Sequence, residues 1–92
     1  MTTILVLNQD PTSLSEADRK WFSPAAKLVR FDCQDSAEEM DALIKRIREL
    51  KKTEDVALVS REYFDPTVIV FELGIAAKFE KLPSSSYIIY LR

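Results

Sequence analysis

Two short polar segments hold most of the side chains that could bind a small molecule. The segment NQDPTS covers residues 8–13 and SREYF covers residues 60–64, and each follows an apolar run. Together they offer amides, carboxylates, hydroxyls, a guanidinium and aromatic rings, which suit a polar or anionic ligand. The candidate residues in the two segments are Asn8, Gln9, Asp10, Thr12, Ser13, Ser60, Arg61 and Tyr63.

Four apolar runs predict the strands that would position these segments. The runs cover residues 4–7, 27–31, 55–60 and 86–92. The first is continuously apolar and the third is apolar over residues 56–59, which is typical of strands buried on both faces of a parallel sheet.

Helix-start signals occupy the three intervals between the strands. The residue pairs are Ser13 with Glu16, Ser36 with Glu39, and Asp65 with Pro66. The first two pairs form capping boxes, and the third puts a capping carboxylate before a proline at the first helical position. We expect the third helix to span residues 66–81, although the β-branched run at 68–70 also fits a strand.

The order β-α-β-α-β-α-β predicts a single α/β domain over residues 1–92. Alternation at this spacing favours a small Rossmann-like or flavodoxin-like three-layer domain with a four-strand parallel sheet in the order 2-1-3-4. Ligands of such sheets bind where the winding direction reverses, which here lies between the first and third strands. The two polar segments border that crevice. The alternative interpretation is ordinary turn chemistry, because Asn, Asp, Pro and Ser are common wherever a chain reverses.

The predicted third helix is apolar on nearly every side. A helix of this kind must be covered all round, and 92 residues supply little material for that. We therefore expect a two-fold homodimer with the helix 66–81 at its seam, where Gly74 would let two backbones approach closely. Glu72 lies in the middle of this apolar surface, so it is either paired with a basic side chain or kept for function.

Composition excludes several classes of function. The chain has no histidine, one cysteine (Cys33) and one glycine (Gly74), so it contains neither a P-loop nor a dinucleotide-binding glycine motif. A net charge of −2 gives no global attraction to duplex nucleic acid or membranes. The lone cysteine and the lack of a signal-peptide pattern favour a cytoplasmic protein.

The two ends of the chain resemble small CRISPR-associated ring nucleases and related CARF-like proteins. The segment LVLNQDPTSLSEAD, residues 5–18, is similar in outline to a strand, a loop of the form Asn-x-Ser-His-Pro-Leu-Thr, and a helix. The proline turn followed by YIIYLR at residues 87–92 also looks alike. Gln9 or Asp10 stands where the loop of that family has its histidine.

This resemblance implies a homodimer in antiviral defence that binds cyclic oligoadenylate across its two-fold axis. It also implies metal-independent, cofactor-free ring cleavage, in which a 2′-hydroxyl of the ligand attacks the adjacent phosphorus while the protein orients groups and stabilises charge. The implied catalytic residues are Asn8, Gln9, Ser60 and Arg61, and the implied ligand-binding residues are Asp10, Thr12, Ser13, Glu62 and Tyr63. Arg61 would contact phosphate and Tyr63 would stack on a base.

A second segment, DPTVIVFELGIA at residues 65–76, resembles the Asp-x-Gly-Thr…Glu-Leu-Gly-x-Ala segment of nucleoside deoxyribosyltransferase-like and TIR-like enzymes. This resemblance implies glycosyl-bond chemistry with Glu72 as the nucleophile and Asp65 as its companion. The Gly-Thr step of that family is absent from the chain. A third class, a regulatory or protein-interaction module without a small ligand, also fits the apolar segment.

Overall fold

The computed structural model describes residues 1–34 and 36–92. The strands are β1 (Thr2–Leu7), β2 (Lys27–Phe31), β3 (Asp55–Ser60), β4 (Ala77–Lys81) and β5 (Tyr87–Leu91). The helices are α1 (Glu16–Arg19), α2 (Ala37–Leu50) and α3 (Thr67–Leu73), with a 3-10 helix at Pro11–Ser13.

The strands form a mixed five-strand sheet in the order β2-β1-β3-β5-β4. β1 is parallel to β2 and to β3, whereas β5 is antiparallel to both β3 and β4. The predicted four-strand parallel sheet with β-α-β-α-β-α-β order is therefore wrong. The parallel half was correctly placed, but the C-terminal quarter of the chain forms a hairpin that the sequence pattern did not indicate.

The error lies in the segment predicted as one helix over residues 66–81. α3 ends at Gly74, which has φ 62° and forms a left-handed C-cap, a conformation that glycine adopts without steric cost. Two backbone hydrogen bonds between Ala76 and Arg92, of 2.7 and 2.8 Å, then bring the chain alongside β5. A β-carbon added at Gly74 would meet nothing within 4 Å, so no neighbouring backbone of the described residues packs closely against this residue. The role of Gly74 is therefore to end the helix, and the expected close approach of two backbones is not needed to explain it.

The apolar residues of this segment therefore belong to two different elements. Ile69 of α3 is fully buried, while Val68 and Phe71 of α3 are 49% and 84% exposed. Phe79 belongs to the edge strand β4 and is 38% exposed. The expectation of a long helix that is apolar all round, and of a dimer seam along it, does not hold in that form.

Two apolar layers cover the sheet unequally. On one face, α2 and α3 pack on the sheet through Leu43, Ile47 and Ile69. The opposite face is covered by the short α1 region, where Leu14 and Phe22 pack against residues of β1, β3 and β5. The thinner layer leaves room for a pocket at one end of the sheet, because four helical residues cannot cover five strands.

Local capping explains where the helices begin. Ser36 caps α2 by accepting a 3.1 Å hydrogen bond from the backbone N–H of Glu39, which confirms the predicted capping box. The predicted cap of the first helix was misplaced by two residues. Ser15 is the cap that accepts from the N–H of Asp18, while Ser13 ends the 3-10 helix.

Within residues 1–34 and 36–92, no helix has the length and apolar character needed to cross a bilayer.

Candidate functional site

The two polar segments meet at one edge of the sheet. β1 and β3 are adjacent and parallel, with Val6 opposite Val59, so the chain leaves both strands at the same end. β2 lies on the far side of β1, and the winding direction therefore reverses between β1 and β3. A direct hydrogen bond joins the segments there, because Arg61 Nε donates to Gln9 Oε1 at 2.9 Å.

The side-chain amide of Gln9 is buried, and within residues 1–34 and 36–92 hydrogen bonds are made only by its oxygen. Only 6% of the residue is exposed, and its Oε1 accepts from Arg61 Nε and, at 3.3 Å, from the Ser13 hydroxyl. Because Arg61 Nε can only donate, the oxygen of the amide must face Arg61, which fixes the orientation of the side chain. The opposite atom, Nε2, is buried and has no hydrogen-bond partner among the described residues.

Gln9 and Arg61 line a pocket of about 350 Å³. Ser13 and Ser15 contribute hydroxyl groups from the first loop, Asp18 comes from α1, and the turn 84–86 closes the far side. A liquid water molecule takes up about 30 Å³, so the volume is ample for a phosphate group and its substituents. The lining is rich in hydrogen-bond donors, since it combines an arginine, an amide and five serine side chains.

Asp18 fixes the far wall of this pocket. The residue is 1% exposed, and its carboxylate accepts a 3.0 Å hydrogen bond from the Ser84 backbone N–H and another from the Ser84 hydroxyl. The Ser84 hydroxyl also lies 3.1 Å from that of Ser86. These contacts tie α1 to the β4–β5 turn across 66 residues of sequence. None of these three residues was predicted as part of a site.

Arg61 is exposed and is not neutralised by a protein carboxylate. The four ion pairs found among the described residues do not involve it. Its Nε is used to hold Gln9, while its terminal nitrogens have no hydrogen-bond partner within residues 1–34 and 36–92. A guanidinium held in this way can present its remaining N–H groups to an anion as a fork.

Asn8 and Ser60, two of the predicted catalytic residues, lie beside Arg61 in a second cleft of about 230 Å³. Asn8 has φ 58°, and its amide bonds Cys33 in both directions, donating to the carbonyl at 2.9 Å and accepting from the N–H at 2.8 Å. Ser60 donates to the Glu62 carbonyl at 2.8 Å. Their polar groups thus hold the ends of β1, β2 and β3 in place.

Asp10 and Thr12 form a local cap. Asp10 accepts from the Thr12 backbone N–H at 2.9 Å and from the Thr12 hydroxyl at 2.8 Å. These bonds, the backbone one first, lower the pKa of Asp10 below its ordinary value. Asp65 makes the same arrangement with Thr67, and there the hydroxyl is the larger cause of the lowered pKa.

Tyr63 belongs to an aromatic cluster with Phe79 and Tyr87. Its ring centre lies 5.7 Å from that of Phe79 and 6.0 Å from that of Tyr87, and Lys81 Nζ lies 4.9 Å from the Tyr87 ring centre. Successive strand residues point to opposite faces, so Tyr87 faces the α2–α3 side while Ser86 faces the pocket. The cluster and the pocket therefore lie on opposite faces of the same sheet edge.

Glu72 lies away from this edge. It borders a groove of about 300 Å³ between α3 and α2, together with Val68, Met40 and Asp41. Asp65, its predicted companion, precedes the opposite end of α3 and caps Thr67. The two carboxylates therefore lie toward opposite ends of α3.

The fold and the pocket define a small mixed α/β domain with a candidate anion site at the switch between β1 and β3. In the part of the chain that the structure describes, no group of three or more His, Cys, Asp and Glu side chains is placed to hold a metal ion. Comparisons with family models, with curated proteins and with solved structures found no match for this chain.

Proposed function

We propose that the protein binds a small nucleotide by holding a phosphate group in the pocket of Gln9 and Arg61. The observation that carries this proposal is the buried Nε2 of Gln9, which lacks an acceptor while its Oε1 orients Arg61. A buried donor without a partner costs about 1–3 kcal/mol, so its placement here calls for a ligand that accepts a hydrogen bond.

The chemistry of the lining favours phosphate. Arg61 supplies one cationic fork and Gln9 an amide whose nitrogen has no acceptor among the described residues. Ser13 and Ser84 already donate their hydroxyl protons within the chain, so the hydroxyls of the described lining left to donate to a ligand are those of Ser15, Ser85 and Ser86. A phosphate group presents several acceptor oxygens to such a set. A ligand without negative charge would leave the guanidinium of Arg61 without a direct ion-pair partner among the described residues.

A cyclic oligoadenylate is the nucleotide that the resemblance to ring nucleases supports. Each copy of the chain would hold one phosphodiester of the ring, and two copies would share one ligand across a two-fold axis. Sharing requires the two copies to meet on the α1 face of the sheet, where the pocket lies, because the exposed Val68 and Phe71 of α3 lie on the opposite face. The single cysteine supports a cytoplasmic location.

Ring opening is the reaction that such binding would permit. The 2′-oxygen of one ribose forms a bond to the adjacent phosphorus, the bond from phosphorus to the 5′-oxygen breaks, and the hydroxyl proton ends on that 5′-oxygen. The products are linear chains that end in a 2′,3′-cyclic phosphate. Arg61 and Gln9 would stabilise the negative charge on the phosphoryl oxygens, which is an electrostatic form of catalysis.

Calorimetric titration with cyclic tetraadenylate and cyclic hexaadenylate tests the proposal, with mass spectrometry of the mixture for linear products. We expect saturable binding that falls about 100-fold in Arg61→Ala, because that change removes a pair of charge-assisted hydrogen bonds. Arg46→Ala, which removes an exposed arginine from α2, is the matched control and should bind as the unchanged protein does. Absence of binding to both rings would remove the cyclic oligoadenylate from consideration.

Association with a second copy has its own test. Sedimentation of the 10.6 kDa chain should show a dimer, and Trp21→Glu should weaken it, because Trp21 is 48% exposed in the α1 region on the face of the pocket. Phe71→Glu is the control, because Phe71 is also exposed, at 84%, but belongs to α3 on the opposite face of the sheet. A monomeric unchanged protein at ligand-binding concentrations would contradict the shared pocket.

A further inference from the structure

We infer that the Gln9–Arg61 pocket selects singly charged phosphodiesters over doubly charged phosphomonoesters, with Asp18 as the residue that determines this specificity. The inference rests on the proposed function, because it concerns the same pocket. It goes beyond it by naming the class of phosphate that the pocket accepts and the group that rejects the other class.

The charge inventory of the pocket is the first observation. Arg61 and Asp18 are the charged residues that line it, and the remaining lining residues are serines, one leucine and Gln9. One positive and one negative charge sum to zero. A bound monoanion therefore leaves one net negative charge in the pocket, whereas a dianion leaves two.

The two protein charges are not equally screened, which is the second observation. Asp18 is 1% exposed, while Arg61 is an exposed residue. Charges that are shielded from solvent act through a lower effective dielectric, so the repulsion from Asp18 is weakened less by water and salt than the attraction of Arg61 is. The first negative charge of a ligand is held by direct hydrogen bonds from the Arg61 fork, whereas a second charge adds repulsion from Asp18 that no further cation among the described lining residues offsets.

Asp18 cannot move aside to relieve this repulsion. Its carboxylate is held by the backbone N–H of Ser84 at 3.0 Å and by the Ser84 hydroxyl, and its own helix is capped at Asp18 N by Ser15. Desolvation adds to the effect, because the cost of taking an ion out of water rises with the square of its charge. Both effects act against a phosphomonoester, which carries about −1.5 to −2 at pH 7.

Two ligands that differ by one methyl group test the inference on the unchanged protein. Adenosine 5′-monophosphate is a monoester, and its methyl ester is a diester of the same nucleoside. At pH 7.5 we expect the methyl ester to bind about tenfold more tightly, which is within the range that one extra charge gives at an effective dielectric of about 20.

Lowering the pH should erase this difference. The monoester takes up its second proton with a pKa of about 6, so at about pH 5 both ligands carry one negative charge and should bind equally. The chain has no histidine, the side chain whose ordinary pKa lies in this range, and the charged groups facing the ligand are Arg61 and Asp18. Equal affinities at pH 7.5, or an affinity ratio that does not change with pH, would overturn the inference while leaving the phosphate pocket intact.

Asp18→Asn tests the assigned residue directly. Asparagine keeps an oxygen that can accept from Ser84, and the variant should bind the monoester about tenfold more tightly than the unchanged protein does at pH 7.5. Glu38→Gln is the control, because it makes the same change of net charge at an exposed position in the first turn of α2. An unfolded Asp18→Asn variant leaves the pH series on the unchanged protein as the deciding measurement. Failure of both adenosine ligands to bind would instead overturn the phosphate pocket itself.

Discussion

Two clefts meet at Arg61, and each contains an amide that follows β1. In the smaller cleft, Asn8 uses both ends of its amide to bind Cys33. In the larger pocket, Gln9 uses only its oxygen, and its nitrogen is buried without a partner among the described residues. Adjacent residues of similar chemistry thus have different tasks, because one amide completes the fold and the other is left with a donor for a ligand.

Hydrogen-bond partners separate the structural from the functional polar groups in this small domain. A polar group whose hydrogen-bonding atoms are engaged within the chain stabilises the fold and has little left to offer a ligand. Ser60 belongs with Asn8 on this criterion, since its hydroxyl donates within its own loop. Asp10 is exposed and binds Thr12 through one carboxylate oxygen, so it meets the criterion only in part. Arg61 belongs with Gln9.

The largest expected effect on stability is that of Asn8→Ala. The change removes two hydrogen bonds to Cys33 and places alanine at φ 58°, a left-handed conformation that asparagine tolerates better. We expect a loss of about 3 kcal/mol, from about 1 kcal/mol per hydrogen bond and about 1 kcal/mol of backbone strain. Urea unfolding measures it.

The same variant should retain ligand affinity in the fraction that is folded. Calorimetry with cyclic tetraadenylate at a temperature where Asn8→Ala remains folded checks this point. A loss of stability of less than about 1 kcal/mol, the scale of a single hydrogen bond, would show that the Asn8–Cys33 bonds do not stabilise the fold.

For Gln9→Leu we expect the opposite pattern, in which stability changes little and ligand affinity is lost. Leucine fills a similar volume and removes a buried donor that lacks a partner, so the free energy of unfolding should change by less than about 1 kcal/mol. Affinity for cyclic tetraadenylate should fall at least about tenfold, because the amide donor and the support of Arg61 are both lost. Calorimetry and urea unfolding on one preparation measure the two quantities.

The reverse pattern in Gln9→Leu, a large loss of stability with unchanged affinity, would mean that Gln9 only supports the loop. Gln9→Glu sharpens the test. A carboxylate still accepts from Arg61 Nε but offers no donor to phosphate, so affinity should fall further than in Gln9→Leu.

A smaller effect is expected at Ser60. Ser60→Ala removes the hydrogen bond to the Glu62 carbonyl, which should cost about 1 kcal/mol of stability. Ligand affinity should change less than about twofold, because the hydroxyl is already engaged within its loop. A much larger loss of affinity would place Ser60 among the ligand contacts, as the resemblance to ring nucleases implies.

The sequence predicted the parallel half of the fold because its signals there are local and agree with one another. The runs at 27–31 and 55–60 are strands with those bounds, and the capping box at Ser36 starts α2. The order of the three parallel strands was enough to predict that the two polar segments meet. The loops that follow two adjacent parallel strands lie at the same edge of a sheet, so Gln9 after β1 and Arg61 after β3 could be expected to lie close together.

The run at 86–92 contains a strand, β5, as predicted, but its hairpin with β4 could not be predicted in the same way, because the structure of residues 77–81 depends on a partner strand. Residues 77–81 have good helix formers, yet pairing with β5 makes them a strand. Gly74 was the available signal, since a glycine after an apolar helical run commonly ends the helix. The contact of Asp18 with Ser84 could not be predicted from the sequence for the same reason. It requires the turn of the β4–β5 hairpin, which local propensity does not indicate.

The smallest expected effect is a change in the pH dependence of unfolding when Asp10, a charged residue of the same loop, is replaced. Its pKa is lowered below 3.8 by the Thr12 backbone N–H and then the Thr12 hydroxyl. A carboxyl with a depressed pKa in the folded state contributes stability above its unfolded pKa and loses it as the pH falls through the folded value. Asp10→Asn should therefore unfold with a slightly flatter pH dependence as the pH falls below about 4. Thr12→Val, which removes the hydroxyl but keeps the backbone N–H, should flatten the pH dependence less, because the backbone hydrogen bond is the larger cause of the lowered pKa.

The contradicting outcome is that Asp10→Asn weakens binding of cyclic tetraadenylate while its acid unfolding is unchanged. Asp10 would then contact the ligand as Gln9 does. Hydrogen-bond partners within the chain would then not be enough to tell structural from ligand-binding residues in this loop.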